Sequence, residues 1–185
     1  DKIKTHQGAK WLTVNVKKIS QKTNINEIIL ATDVDWKIKN VSLIKENYKR
    51  SKYFEEIFPY IEKLYNFKCE KLIDFNLKSI TVLMELFDIK IEMVAGSSLG
   101  ASGKGNALLV DILKKVNATR YLSGVGAKAY YDSRPFEEAK IEVIWQDFNH
   151  PVYPQLHGDF IPYLSSIDIL FSCGIAKSRE ILRNC

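Results

Sequence analysis

The sequence predicts an α/β fold with a mostly parallel sheet, and three features carry that expectation. Between residues 91 and 146, short apolar strand signals alternate with amphipathic helical runs, the pattern of crossover connections between parallel strands. Strand signals near 91–94 and 119–122 each run straight into a glycine-bearing loop. Upstream, residues 33–88 hold three successive helical stripes, enough to pack helices around a sheet.

Taken in order, Lys2, Lys4 and His6 precede Gly8 in a polar turn. Trp11–Val16 alternates and is rich in β-branched residues, so it reads as a strand. After the polar loop Lys17–Asn24, Ile25–Ala31 reads as a second strand, antiparallel to the first. Asp33 or Asp35 caps a helix running to about Tyr48, with Val34, Ile38, Val41 and Tyr48 as its stripe. From Tyr53 a second helix presents Phe54, Ile57, Phe58, Ile61, Leu64 and Tyr65, and Pro59 inside it predicts a break or kink. The third helix, about 70–87, repeats Ile73, Leu77, Ile80, Met84 and Phe87. Residues 33–88 are thus a packed helical layer with no chemistry of their own.

Ile91-Glu-Met-Val94 then reads as a strand ending in the loop Ala95–Gly105, and Asn106 opens a helix carrying Leu108, Leu109, Ile112, Leu113 and Val116. The strand at 119–122 enters the turn Ser123-Gly-Val-Gly126. Short helices follow near 127–131 and 136–139, and the last clear strand spans 141–146. Ser165 or Ser166 caps a final amphipathic helix ending at Gly174, and Lys177–Arg183 forms a basic, helical end.

Composition narrows the function classes. The 185 residues are 46% hydrophobic and 26% charged, the balance of a soluble protein with one sizeable core, so a single domain over 1–185 is expected. No apolar run approaches the roughly 20 residues of a membrane span. The net charge of +5 is spread out, without the dense aromatic-interleaved stripe that nucleic acid requires. Cys69, Cys173 and Cys185 have no metal-binding spacing, and so sparse a set suits a reducing cytoplasm. The chain starts at Asp1 and is expected to lack its natural N-terminal segment.

In parallel sheets, ligands gather beyond the C-terminal strand ends, which points to loops 95–105, 123–128 and 146–158 converging on something negatively charged. The first is no Walker loop, because six residues separate Gly96 from Gly103 and Gly105 follows Lys104. The dinucleotide fingerprint also fails at 124–129, where its third position is Ala129. What survives is anion binding by Ser97, Ser98 and Lys104, and by Ser123, Gly124, Gly126 and Lys128 with the backbone N–H groups around them. Each loop also fits the plainer role of a turn. The third loop adds Tyr153, Gln155, His150 and His157. One histidine suits general acid–base work, since imidazole titrates near neutrality. The spacing suits no structural metal, and no nucleophile elbow is present. Asp168, in the first turn of the last helix, either complements the helix dipole or supports the site from below.

An ordered set of motifs extends along the chain: Lys2-Ile-Lys-Thr with Gly8 and Trp11-Leu-Thr; Tyr53-Phe after the Tyr48 helix; and Ser97-Ser with Gly103-Lys. It continues with Arg120-Tyr-Leu-Ser-Gly and Gly126-Ala-Lys128, then Tyr153-Pro-Gln, and ends with Ser165-Ser-Ile-Asp-Ile-Leu-Phe and Gly174. Over nearly its whole length the chain resembles the WbqC-like proteins of bacterial surface-polysaccharide gene clusters. Members normally begin with an additional strand and a Gln-Pro-rich loop, and often carry proline where this chain has His6, which weakens His6 as a catalytic residue. The resemblance implies a transferase of O-antigen biosynthesis that attaches glycine or another acyl group to a sugar. A nucleotide sugar or other phosphorylated compound would be its partner. Ser97, Ser98, Lys104 and the Gly124–Gly126 turn would hold the diphosphate, and His150 or His157 would deprotonate the attacking sugar. Two other classes stay open: a non-catalytic sugar-nucleotide binding or scaffolding protein, and an ATP-dependent nucleotidyl or ligase-type enzyme. No cofactor is assigned, and self-association is left open.

Overall fold

In the computed structural model, which describes residues 1–185, the chain enters through a β-hairpin. Strand β1 (Lys2–Thr5) pairs antiparallel with β2 (Gly8–Trp11), setting Lys2 opposite Trp11 and Thr5 opposite Gly8. Its turn closes through the Thr5 hydroxyl, which donates to the Gly8 carbonyl at 2.8 Å and accepts from the Gln7 N–H at 3.2 Å. The stretch read as a polar turn is therefore mostly strand. It escapes the alternation rule because Ile3, Lys4 and Thr5 are all buried.

The expected strand pair at 11–16 and 25–31 keeps its partners and its orientation but shrinks to a single antiparallel bridge, Val16 to Leu30. Two hydrogen bonds of 2.9 Å flank it, Lys17 N–H to Ile29 C=O and Ala31 N–H to Asn15 C=O. Competing partners stop the ladder there. Asn40 donates to the Thr13 carbonyl, and Leu30 and Leu72 exchange backbone bonds with Glu70 and Ile28. Ile25–Glu27 is a turn of 3-10 helix instead of strand.

Helices α1 (Trp36–Tyr48), α2 (Phe54–Tyr65) and α3 (Leu72–Phe87) occupy the expected stretches, but only α2 buries the face expected of it. Ile38 of α1 and Leu77 and Ile80 of α3 are exposed, and the packed faces are carried by Trp36, Ile44 and Tyr48 and by Phe75, Val82, Leu86 and Phe87. With α6 (Ser166–Arg183) these helices enclose one core that includes Ile44, Ile57, Ile61, Leu86, Leu170 and Phe171. Trp36 meets Phe75 edge-on at 5.1 Å, and Tyr48 stacks on Phe171 at 4.6 Å. Of the break or kink expected at Pro59, the break does not occur, and α2 runs through the proline. The carbonyl it leaves without an N–H partner belongs to Glu55, an exposed residue that water can serve, while Phe58 and Ile61 bury the helix on either side.

Gly174 breaks α6 into two helical segments, with φ 76° and ψ 169°. Besides its left-handed φ, the position has no room: a Cβ there would lie 2.6 Å from ring carbons of Tyr53. Carbonyls near the break are taken by hydroxyls, Ser178 donating to Ile169 at 3.0 Å and Ser51 donating to Phe171.

The chain forms two compact units: residues 1–90 with 150–185, which hold the elements above, and residues 91–149. In the second unit, β3 (Arg120–Gly124) pairs parallel with β4 (Glu142–Gln146), Tyr121 opposite Val143 and Ser123 opposite Trp145. Helices α4 (Gly105–Lys115) and α5 (Arg134–Glu138) pack here through Val110 and Phe136, which form a small core with Ile141 just before β4, and 3-10 turns occupy Gly96–Leu99 and Val125–Tyr130. The parallel pairing is as expected, but 91–94 is not its third strand. Ile91 is 67% exposed, and Met93 and Val94 are exposed beside it, so the segment finds neither an edge nor a face to bury against. The architecture is mixed α/β with one parallel and one antiparallel strand pair.

Gly174→Ala is expected to lower stability by about 1–3 kcal/mol from backbone strain alone, with the Tyr53 contact added. Urea unfolding of this variant and of Gly174→Ala/Tyr53→Ala checks it. The double variant should recover part of the loss, and an unchanged midpoint for the single variant would contradict it.

Candidate functional site

In the first unit, polar side chains gather beneath the loop that joins residue 150 to α6. Asp168 is 0% exposed, in the first turn of α6. A carboxylate placed there needs donors, because desolvation without them costs several kcal/mol. Three are supplied. The Tyr48 hydroxyl donates to Oδ1 at 2.5 Å, while the Tyr153 hydroxyl at 3.0 Å and the Gln155 amide at 2.9 Å donate to Oδ2. Burial still holds the Asp168 pKa above the ordinary carboxylate value, against these donors and the Lys4 charge, which pull it down. Burial, followed by the charge of Asp168, raises both phenols in turn.

Lys4 is the second buried charge, 1% exposed on β1. Its backbone N–H donates to the Tyr48 hydroxyl at 3.1 Å, so one phenol oxygen links the strand to Asp168. Its ammonium donates to the Gly158 carbonyl at 3.0 Å and to that of Asp159. Gln155 closes the same loop from the other side. Its Nε2 donates to the Ile161 carbonyl at 2.9 Å and its Oε1 accepts from the Ile161 N–H at 2.8 Å, as a strand neighbour would.

His157 sits at the crest of this loop with φ 63°, followed by Gly158 at 77°. Its Nε2 lies 2.8 Å from the Asn47 carbonyl. A carbonyl only accepts, so Nε2 carries the proton, and in the neutral ring Nδ1 keeps its lone pair. His6 meets this ring edge-on at 6.5 Å. His150 differs: its Nδ1 donates to the Pro151 carbonyl at 2.9 Å, and its Nε2 accepts from the Tyr163 N–H at 3.0 Å. With both ring nitrogens held by backbone, His150 fixes the chain, while His157 offers a base.

The remaining sequence-derived candidates belong to the second unit. Ser97 and Ser98 lie in the Gly96–Leu99 turn, where the Ser98 hydroxyl donates to the Ala95 carbonyl at 2.7 Å. Lys104 is exposed at the N-cap of α4. Asn106 donates to the Tyr130 carbonyl at 3.1 Å, which ties the first turn of α4 to the segment containing Gly126 and Lys128. Ser123 is 3% exposed near the end of β3, and Gly124 is the last residue of the strand. The Lys128 ammonium lies 5.4 Å from the Trp145 ring centre. Of the three loops, 95–105 and 123–128 fall in this unit, whereas the third divides, with 150–158 in the first.

Lys4, Asn47 and Tyr48 went unread as site residues. Lys4 looks like surface in a Lys-Ile-Lys repeat, and Tyr48 fits the apolar stripe of α1. The usable signal was that a phenol buried in a stripe must find a partner for its hydroxyl. No group of three or more His, Cys, Asp and Glu side chains is arranged to hold a metal ion, and no helix is long and apolar enough to cross a membrane.

Comparison with known proteins agrees with the motif set. The model of the WbqC-like protein family matches residues 1–180. The uncharacterised protein Rv1507c of Mycobacterium tuberculosis is 29% identical over 190 residues, which take in 100% of this chain and 80% of that protein. No solved structure matches.

Tyr48→Phe should cost about 1.5–3 kcal/mol in urea unfolding, since it removes a bond to a buried carboxylate. The pH dependence has a definite sign. With the Asp168 pKa raised, the folded state takes up its proton first, so lowering the pH from neutrality toward the ordinary carboxylate value stabilises wild type relative to Asp168→Asn. A wild-type advantage that shrinks with acid would contradict this.

Proposed function

The chain belongs to the WbqC-like protein family, and from that premise we propose that it is a transferase of bacterial surface-polysaccharide biosynthesis, attaching glycine or another acyl group to the sugar of a nucleotide sugar. The observation that carries the reading is His157: an exposed imidazole in a left-handed backbone conformation, with Nε2 anchored and Nδ1 open, on a loop held by two buried charges. Ionisable groups are seldom buried in this way for packing alone.

In the proposed step, the sugar amine or hydroxyl attacks the acyl carbonyl carbon and loses its proton to Nδ1 of His157. The bond to the donor's leaving group then breaks, and that group departs with the electron pair and takes the proton back. Asp168, Tyr153 and Gln155 hold the loop through their mutual hydrogen bonds. His150 was the other candidate base, and its two backbone bonds favour His157 for the task. Within the second unit, and as a separate feature, Ser97, Lys104, Ser123, Lys128 and the Gly124–Gly126 backbone supply donors and positive charge suited to an anion.

The test is mass spectrometry of amino-sugar nucleotides incubated with the protein and either acyl thioesters or glycine with ATP. Wild type should add the acyl mass, and His157→Ala should lower the rate about 10²–10⁴-fold. Nucleotide-sugar binding without any product would favour the non-catalytic reading, and pyrophosphate release would favour the ligase reading. Unchanged turnover after replacing His157 would remove it as the base.

A further inference from the structure

Tyr163 takes no part in the machinery above, yet the chain holds it under strain. Its φ is 58°, a left-handed conformation that bulky side chains rarely adopt. Core burial does not compensate, because the residue is 77% exposed. The surroundings enforce the position. The Tyr163 N–H donates to His150 Nε2 at 3.0 Å, and the two rings meet edge-on with centres 4.8 Å apart. The same imidazole is pinned by the Pro151 carbonyl and lies against Tyr153 and Phe160. Glycine or asparagine would satisfy this backbone at lower cost. The result is a rigid phenol ring, open to solvent, on the segment between the His157 loop and α6.

From this placement we propose that Tyr163 is a stacking platform for the glycosyl ring of the substrate, with His150 as the residue that positions it. The inference rests on the sugar-transfer reading and names where in the first unit the sugar would lie. An exposed aromatic face binds the C–H face of a pyranose while the sugar hydroxyls stay in water. Nucleobases are commonly read by free donors and acceptors along their edges, whereas the amide of Gln155 and both nitrogens of His150 are already engaged.

The experiment titrates the full chain, labelled with ¹³C at tyrosine rings, with UDP-N-acetylglucosamine, N-acetylglucosamine and UMP, and measures thermal unfolding of the variants. The Tyr163 ring signals should move with the nucleotide sugar and with the free sugar, but not with UMP. Tyr163→Phe should bind like wild type. Tyr163→Gly should unfold about 2–4 °C higher, because strain is relieved, yet bind UDP-N-acetylglucosamine about tenfold more weakly or worse. His150→Ala should weaken binding in wild type but add nothing to Tyr163→Gly. A lower unfolding temperature for Tyr163→Gly with unchanged binding would overturn the platform alone, and so would an equal response to UMP. Wild type failing to bind either sugar probe would overturn the sugar reading together with it.

Discussion

A carboxylate with no exposed surface constrains the rest of the first unit. Asp168 requires donors from three directions, and meeting that requirement fixes α1 through Tyr48 and the 150–163 segment through Tyr153 and Gln155. Lys4 adds the opposite charge on β1, reaching the loop through two carbonyls and Asp168 through the Tyr48 hydroxyl. Apolar residues of similar volume would have filled the space at lower risk. What the polar arrangement provides is one geometry for the loop, with His157 at its crest.

The two histidines on that segment show how hydrogen bonding sorts like residues into unlike roles. His150 donates from one nitrogen and accepts at the other, both to backbone, and so sets the path of the chain. His157 spends only Nε2. The second unit has a different character: short parallel strands, glycine turns and exposed polar groups, with Ser123 buried near a strand end. Ser123 and Gly124 close β3 at the end of the parallel pair where such sheets generally receive ligands.

Much of this was legible in the residues, and the failures have physical causes. The extents of α1, α2 and α3, the buried face of α2, the parallel pair β3–β4 and the break at Gly174 follow from periodicity and from glycine, whereas Ile38, Leu77 and Ile80, read into the packed stripes, face outward because Trp36, Phe75 and Val82 take the core positions. Pro59 misled because an exposed carbonyl tolerates a missing donor, and 91–94 misled because strand propensity cannot form a strand without an edge to pair with. Asp168 stood out as a candidate with two readings, and the bonds it accepts from Tyr153 and Gln155 tie it to the loop while it stays in the first turn of α6. Lys4 was illegible: nothing local separates a lysine that crosses the core from one that faces water.

The most direct test of the claim that Asp168 organises the loop is the tautomer of His157, read from side-chain ¹⁵N resonances. Wild type at a pH where the ring is neutral should show a single form protonated at Nε2, and folded Asp168→Asn should show a mixture as the Asn47 contact loosens. A mixture in wild type, or the same single form in both proteins, would contradict the account.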